Sequence, residues 1–247
     1  EDEEKNVDVD MLGFIAVPYD NGQYSVHTNY AKAWNLIGFD KTSLDTFGQE
    51  LYDYKTTPNS STPYDLQTAI PEFKDVGDID FATILFKTEG IGNGISDYLD
   101  NTIAFASFAA SKTNPNSLGM LGSTDSETGT SIWLGVNAPC PLTPDDAKIG
   151  FEWNKGSKYW RSMTYAEDTY AGSKIATRGQ AWEVYRTQKL TEALSFGVSY
   201  VLMQYDYTGS NSFFGYDGTP YKIGSAEAGN KAVKEAQDVR AYMRYKF

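Results

Sequence analysis

The sequence is poor in the residues that carry most metal and redox chemistry. It has one cysteine and one histidine in 247 residues. Cys140, in the stretch NAPCPLTP, has no partner for an intramolecular disulfide, and the sequence holds neither a haem-attachment motif nor a paired-cysteine metal site. We therefore expect Cys140 to be a free thiol in a proline-rich turn, and we expect the chain to bring no cofactor of its own.

Long hydrophobic runs and excess positive charge are also missing. No stretch approaches the roughly 18 apolar residues that a transmembrane helix needs, and a formal charge of −12 argues against nucleic acid as a partner. The chain opens on EDEEKN, without the apolar segment of a signal peptide, so for an exported protein we expect a mature or partial chain. A membrane β-barrel stays possible, because its strands are only half apolar.

Extended segments dominate what is present. Aromatic residues make up 15% of the chain, and alternation of apolar with polar residues is clear in ALSFGVSYVL, TSIWLGVNA and the terminal DVRAYMRYKF. Side chains of a strand point alternately to its two faces. One face of the last strand therefore carries apolar side chains, and the other carries charged ones. Turn signals between such segments predict nine strands, at residues 7–18, 24–39, 78–88, 102–112, 128–138, 148–157, 178–190, 194–207 and 236–247.

The connections between these segments alternate between short and long. The long ones lie near residues 40–77, 113–127, 158–177 and 208–235. Outer-membrane barrels place short turns on the periplasmic side and long loops outside. The rhythm predicts an all-β fold, a transmembrane antiparallel up-and-down barrel with a periplasmic C-terminus. It disfavours the alternative of a soluble β-sandwich that binds carbohydrate through its aromatic residues.

The odd number of strands bears on completeness. Single-chain bacterial barrels have an even number of strands and periplasmic termini. We therefore expect residues 1–247 to be the C-terminal portion of one larger barrel domain, with an odd number of further strands upstream.

Three stretches carry a resemblance to a known family: FEWNKGSKYW, RGQAWEVYRTQKLTEALSFGVSYVLMQYDYTGSNSFFG and VRAYMRYKF. They resemble the C-terminal half of a porin-like bacterial outer-membrane family of mainly unknown function, best over residues 132–247 and weakly over the first 90. The resemblance implies that Met243, Tyr245 and Phe247 form the terminal signal read by the barrel-insertion machinery. It implies no catalytic residue.

Alternation assigns a set of charged residues to the barrel interior. Charged rings around a water-filled lumen select solutes, and opposite charges could equally brace the wall as salt bridges. The candidate pore-lining residues are Glu152, Glu183, Lys189, Asp238, Arg240, Arg244 and Lys246. Arg186 falls on the apolar side of its strand, so we expect it near a membrane interface or past a bulge, unless the register is wrong.

Several other residues have both a chemical and a structural interpretation. A Ser-His-acid hydrolase would have to use His27 as its base, because the chain has no other histidine. No serine nucleophile motif surrounds it, so we expect His27 to be a residue of the barrel wall and the protein not to be an enzyme. Asp75, Asp78 and Asp80 could bind Ca²⁺, although a solvated loop face is the simpler expectation.

Ser43 with the helically spaced Leu44, Phe47 and Leu51 predicts a short helix, capped by Ser43, at the barrel mouth. Aromatic belts are expected at the two membrane interfaces, at Tyr205 and Tyr207 on the extracellular side and at Tyr242, Tyr245 and Phe247 on the periplasmic side.

Two functions follow from this pattern. The first is a porin-like channel for passive diffusion of small hydrophilic solutes or ions. The second is a structural sheath around a partner such as a multihaem cytochrome, which would supply its own haem. Expected partners are outer-membrane lipid and lipopolysaccharide, the insertion machinery, and a homo-oligomer or a plug protein.

Overall fold

The computed structural model of the chain describes residues 9–39, 41–57, 73–116, 120–162, 171–212 and 218–246. Its main element is a nine-stranded antiparallel sheet in the order β1-β2-β5-β6-β7-β8-β9-β10-β11. These strands are β1 (Asp10–Asp20), β2 (Tyr24–Trp34), β5 (Gly77–Glu89), β6 (Ile103–Pro115), β7 (Thr128–Pro139), β8 (Ala147–Gly156), β9 (Gly179–Lys189), β10 (Leu194–Tyr205) and β11 (Glu235–Tyr245). The predicted fold class is confirmed: the chain is all-β, and each strand of the sheet pairs with its sequential neighbours.

The connections alternate between the two ends of the sheet, and at one end all of them except residues 90–102 are short. Residues 21–23, 90–102, 140–146 and 190–193 join strands at one end, whereas residues 35–76, 116–127, 157–178 and 206–234 join them at the other. We call these the short-turn end and the long-loop end. β11 runs toward the short-turn end, as the sequence predicted.

One predicted strand is divided in the structure. The segment 24–39 was expected to be continuous, but β2 ends at Trp34, and Asn35 takes a positive φ of 53° that turns the chain. The separate β3 (Ile37–Phe39) then pairs with β4 (Phe73–Asp75) in a small second sheet. Helix α1 (Lys41–Thr56) follows β3. It begins before Ser43, so the prediction that Ser43 caps it was wrong.

The two faces of the main sheet differ in character. The outer face carries exposed apolar side chains through the middle of the strands, including Leu134, Phe151, Val184 and Val198. The inner face of the same strands carries small, polar, charged and aromatic side chains, and Ser131 and Ser199 among them are buried. A compact apolar cluster lies at the long-loop end of β2 and β5, formed by Ala33, Leu36, Val76, Ile79, Phe81, Met120 and Leu121.

The sheet does not close on itself. β1 pairs only with β2, and β11 pairs only with β10. Every residue of β1 is exposed. None of the helices in the described ranges, including α1 and the one-turn α2 (Asp97–Asp100), is long and apolar enough to cross a membrane.

Candidate functional site

The described parts of the connection between β8 and β9 fold back over the inner face of the sheet. Two glycines make this close approach possible. A Cβ at Gly129 would lie 2.3 Å from the Cα of Trp160, and a Cβ at Gly156 would lie 2.2 Å from the carbonyl oxygen of Thr177. The indole of Trp160 also donates a hydrogen bond of 2.8 Å to the carbonyl of Ile175 within the same connection. We call the described parts of this connection, residues 157–162 and 171–178, the inner segment.

Arg178 ties the inner segment to the neighbouring long connection. Its side chain is 1% exposed. The guanidinium donates to the carbonyl of Trp160 at 2.9 Å, and to those of Thr208 and Gly218 at 3.0 Å and 2.6 Å. Because a buried guanidinium needs its donors satisfied, these carbonyls hold two connections of the long-loop end together.

A charged cluster lies where the inner segment meets the wall. Glu152 of β8 and Glu183 of β9 are directly opposite each other in the sheet. Lys174, in a 3₁₀ turn (Lys174–Ala176), reaches between them: its Nζ is 2.7 Å from Glu152 Oε2, and it also contacts Glu183. Like charges directly opposite in a sheet are destabilising. The ammonium of Lys174 therefore compensates a repulsion that the strand pairing imposes.

Trp133 of β7 completes this cluster. Its indole N–H donates to Glu152 Oε2 at 2.9 Å, and Lys174 lies over its ring at 5.7 Å from the centroid. Burial alone would lower the pKa of Lys174, but the hydrogen bonds and charges of Glu152 and Glu183 outweigh it and raise the pKa. The three charged side chains are 12–14% exposed, so the inner segment is fixed to the wall by a largely desolvated ion-pair network.

Aromatic rings of the inner face lie across glycines of the adjacent strands. A Cβ on Gly135 would fall 2.2 Å from the ring of Phe105, and one on Gly150 would fall 2.0 Å from the ring of Tyr185. Tyr242 covers Gly197 in the same way. The inner wall is therefore lined by flat aromatic surface as well as by charge.

The short-turn end of the inner face is basic. Lys148, Lys189, Arg244 and Lys246 line a recess of about 330 Å³ there, together with Asp145 and Asp146. Arg244 also lies 6.0 Å from the ring centroid of Tyr242. We call this recess the basic mouth. Further along β11, Arg240 forms an ion pair with Asp238.

The predicted charged set is thus divided into three groups. Glu152 and Glu183 meet at the centre, Asp238 and Arg240 pair with each other, and Lys189, Arg244 and Lys246 gather at the basic mouth. Sequence reasoning missed Lys174, the residue that organises the centre. Lys174 lies in an irregular connection, where no periodicity signals the direction of a side chain.

Two predictions about aromatic belts were wrong. Tyr205 packs beside Ala181, Val201 and Met203, and its hydroxyl donates to the carbonyl of Ala171 at 3.3 Å, so it does not belong to an outward-facing belt. Tyr242 covers Gly197 on the inner face. Met243 and Tyr245 are exposed, at 65% and 60%, while Phe247 lies outside the described residues.

The acidic calcium candidates are not brought together. Asp75 accepts a hydrogen bond from the backbone N–H of Gly77, Asp78 lies 3.9 Å from Lys32, and Asp80 accepts from the hydroxyl of Tyr30. Within the described ranges, no three histidine, cysteine or acidic side chains form a group that could hold a metal ion.

The remaining single residues have local partners. His27 is 2.9 Å from the hydroxyl of Ser25. Arg186 pairs in regular register with Ile149 and Val198, but its guanidinium reaches Thr143 in a short turn, so it lies close to the short-turn end. Cys140 is a buried free thiol, and hydrogen bonding to the backbone of Leu142 is the main cause that lowers its pKa.

Comparison with known proteins gives a family without an assigned activity. No curated protein matches the chain. Among solved structures, OmpT, an outer membrane protein of Vibrio cholerae, is similar at 10% sequence identity and a TM-score of 0.46. The match covers 98% of this chain and 57% of that one, so the chain spans little more than half the length of this structural neighbour.

A family model described as "Protein of unknown function (DUF3373)" matches residues 1–247, and the chain therefore belongs to that family.

Proposed function

We propose that this chain forms part of the wall of an outer-membrane channel, through which small hydrophilic solutes or ions diffuse passively along the inner face. The observation that carries the proposal is the contrast between the two faces of one sheet. The outer face exposes apolar side chains in the middle of at least four consecutive strands, β7 to β10. A soluble protein rarely leaves such a wide apolar band in water, whereas lipid covers it at no cost.

Strand length supports the same environment. The strands of the main sheet have 10 to 13 residues, longer than the roughly 5–6 of most globular sheets. About 9–11 residues suffice for a tilted strand to cross the hydrocarbon core. The arrangement of short and long connections supports a periplasmic short-turn end and extracellular long loops.

The inner segment gives the proposed path its narrow point. It projects from the wall at the level of Glu152 and Glu183 and is held there by Lys174. A channel of this design excludes large solutes by the position of the inner segment, and it discriminates among ions by the charges beside it. No catalytic step is part of the proposal, and its partners are outer-membrane lipid, lipopolysaccharide and the barrel-insertion machinery.

Conductance tests the proposal. The full-length protein, purified in detergent and shown to be folded by its heat-modifiable migration, would be inserted into a planar bilayer under a salt gradient. We expect discrete conductance steps. Lys174→Met should enlarge the steps because it releases the inner segment, whereas Lys158→Met, which is on the same segment but stacks on Tyr159, should leave them unchanged.

Silence from folded, inserted protein would contradict the open channel. It would favour the sheath hypothesis, in which a partner fills the interior, and co-purification of a haem-containing protein would then be the next observation to seek.

A further inference from the structure

A cavity of about 420 Å³ lies between the inner face and the inner segment. Its volume falls within the roughly 300–1,000 Å³ of typical small-molecule sites. The wall contributes side chains from six strands, β1, β2, β5, β6, β7 and β8, and the inner segment contributes Trp160, Ser162 and Ile175. The cavity is therefore built by two separate parts of the chain.

The lining is uncharged. Most of its surface is apolar, from side chains such as Ile15, Phe81 and Leu85, and polar groups are spread among them. Hydroxyl and amide groups come from Asn29, Thr83, Ser107, Ser131, Asn154 and Ser162. His27 and the indoles of Trp133 and Trp160 are added to these, and no Asp, Glu, Lys or Arg of the described residues lines the cavity. An ion would find no compensating charge in such a site. A neutral solute that carries hydroxyl groups and also an apolar face would find hydrogen-bonding partners and apolar surface side by side.

Asn154 is the most deeply buried polar side chain of the lining. It is 1% exposed, and its Nδ2 donates to the hydroxyl of Ser131 at 2.9 Å and to the carbonyl of Ile132 at 3.2 Å. Because a carbonyl can only accept, this pairing fixes the orientation of the amide. Its Oδ1 is then a buried acceptor that receives no hydrogen bond from the described residues. Buried acceptors of this kind are rare. The atom is covered by its neighbours, so it belongs to the packed wall behind the cavity and does not itself contact a solute.

Two hydroxyl groups of the lining are available to a ligand. Thr83 and Ser107 line the cavity from adjacent strands, and neither uses its hydroxyl in a hydrogen bond within the described part of the chain. The indole rings provide apolar surface against which the C–H face of a sugar ring packs. Both Trp133 and Trp160 have their N–H groups engaged by protein acceptors. Trp133 is only partly buried and offers the ligand its ring, whereas Trp160 is 6% exposed and mainly closes the cavity.

We propose that this cavity is a binding site for a small neutral sugar, of monosaccharide or disaccharide size. The inference rests on the proposed function in one respect, since it takes the inner face to be open to water and names the class of solute that visits it.

The test is calorimetric titration of the folded full-length protein in an amine-oxide detergent, because maltoside and glucoside detergents would compete. Glucose and maltose are the probes, and glucuronate, which adds a carboxylate to the same ring, is the charged comparison. We expect saturable binding of at least one neutral sugar and much weaker binding of glucuronate.

A double variant, Thr83→Val with Ser107→Ala, removes hydroxyls that the protein does not itself use. Each lost hydrogen bond should weaken binding by roughly fivefold, so the double variant should raise the Kd roughly 25-fold. The matched control is Thr187→Val with Ser195→Ala, two positions that line the basic mouth instead, and its Kd should stay that of the unmodified protein.

Absence of saturable sugar binding, or equal Kd values for the two double variants, would overturn the inference. Titration in micelles does not depend on conductance, so a protein that conducts without binding sugar contradicts this inference alone. A protein that binds sugar without conducting contradicts the open channel alone.

Discussion

The two faces of β9 and β10 share one backbone but lie in two different environments. Val184 and Val198 of the outer face are exposed, at 47% and 38%, while Glu183 of the inner face is largely buried beneath the inner segment. In a soluble protein the apolar side chains would be the covered ones. Here the apolar side chains are exposed and the charged one is buried. We infer that lipid covers the outer face, whereas the inner segment of the chain covers the inner face.

A charge on the outer face should have the largest effect. Val184 is in the middle of β9 and pairs with Phe151 and Tyr200. In a lipid bilayer, Val184→Arg should lower the free energy of unfolding by about 2–4 kcal/mol, the cost of arginine on a lipid face near the midplane. Urea titration in lipid vesicles measures it.

The control lies on the inner face of the same strand. Thr187→Arg places its charge in the basic mouth, which is open to water and also contains Asp145 and Asp146. We therefore expect a cost of less than about 1 kcal/mol. Equal costs at the two positions would mean that the faces do not differ in environment.

Removing the ammonium of Lys174 should have the next largest effect. Lys174→Met leaves Glu152 and Glu183 facing each other without a counter-ion. Breaking a buried pair costs roughly 3–5 kcal/mol, and because these side chains keep some exposure, we expect about 2–3 kcal/mol. The unfolding midpoint would be compared with that of Lys158→Met, which should be nearly unchanged. A drop of the same size in both variants would contradict a special role for Lys174.

The same contact predicts an alkaline limit. The folded protein raises the pKa of Lys174 above its ordinary value of 10.5. Its stabilisation is therefore fully present below pH 10.5 and is lost as pH rises through the raised pKa. The difference in unfolding free energy between the unmodified protein and Lys174→Met should stay constant from pH 7 to 10 and shrink above 10.5. A difference that already disappears near neutral pH would be inconsistent with this pairing.

Periodicity explains which of these features the sequence could predict. Alternation in ALSFGVSYVL is enough to put Val198 and Ser199 on opposite faces, because a strand has a side-chain period of two. Lys174 and Arg178 could not be found this way. Their positions depend on a connection that folds back against Gly129 and Gly156, and such a tertiary contact leaves no local pattern. The break at Asn35 was missed for a similar reason, since apolar residues continue on both sides of the turn.

A methyl group on Gly129 should loosen the inner segment without touching any charge. The added Cβ would meet the backbone of Trp160 at 2.3 Å, and a backbone cannot move aside as a side-chain tip can. We expect a cost of about 1–3 kcal/mol and faster proteolysis within residues 157–178. Gly48→Ala in α1, where no atom lies within 4 Å, should be neutral or slightly stabilising. Proteolysis of Gly129→Ala at the rate of the unmodified protein would contradict close contact between the inner segment and the wall.

The smallest expected effect is on ion preference at the basic mouth. Replacing Lys189, Arg244 and Lys246 together by glutamine removes positive charge from the recess, so the reversal potential under a salt gradient should shift toward cation preference while folding is retained. Exposed charges contribute little to stability. A reversal potential that does not move would exclude the mouth from the conduction path.

Labelling of adjacent residues would test the central claim most directly. Ala106 and Ser107 are neighbours on β6, and Ala106, on the outer face, is the more exposed of the two. In a Cys140→Ser background, each would be replaced by cysteine and treated in intact membranes with a water-soluble, membrane-impermeant maleimide. The account predicts that Ser107→Cys reacts and that Ala106→Cys is protected by lipid until the membrane is dissolved. Equal or faster reaction of Ala106→Cys in intact membranes would contradict a lipid-covered outer face and a watery inner one.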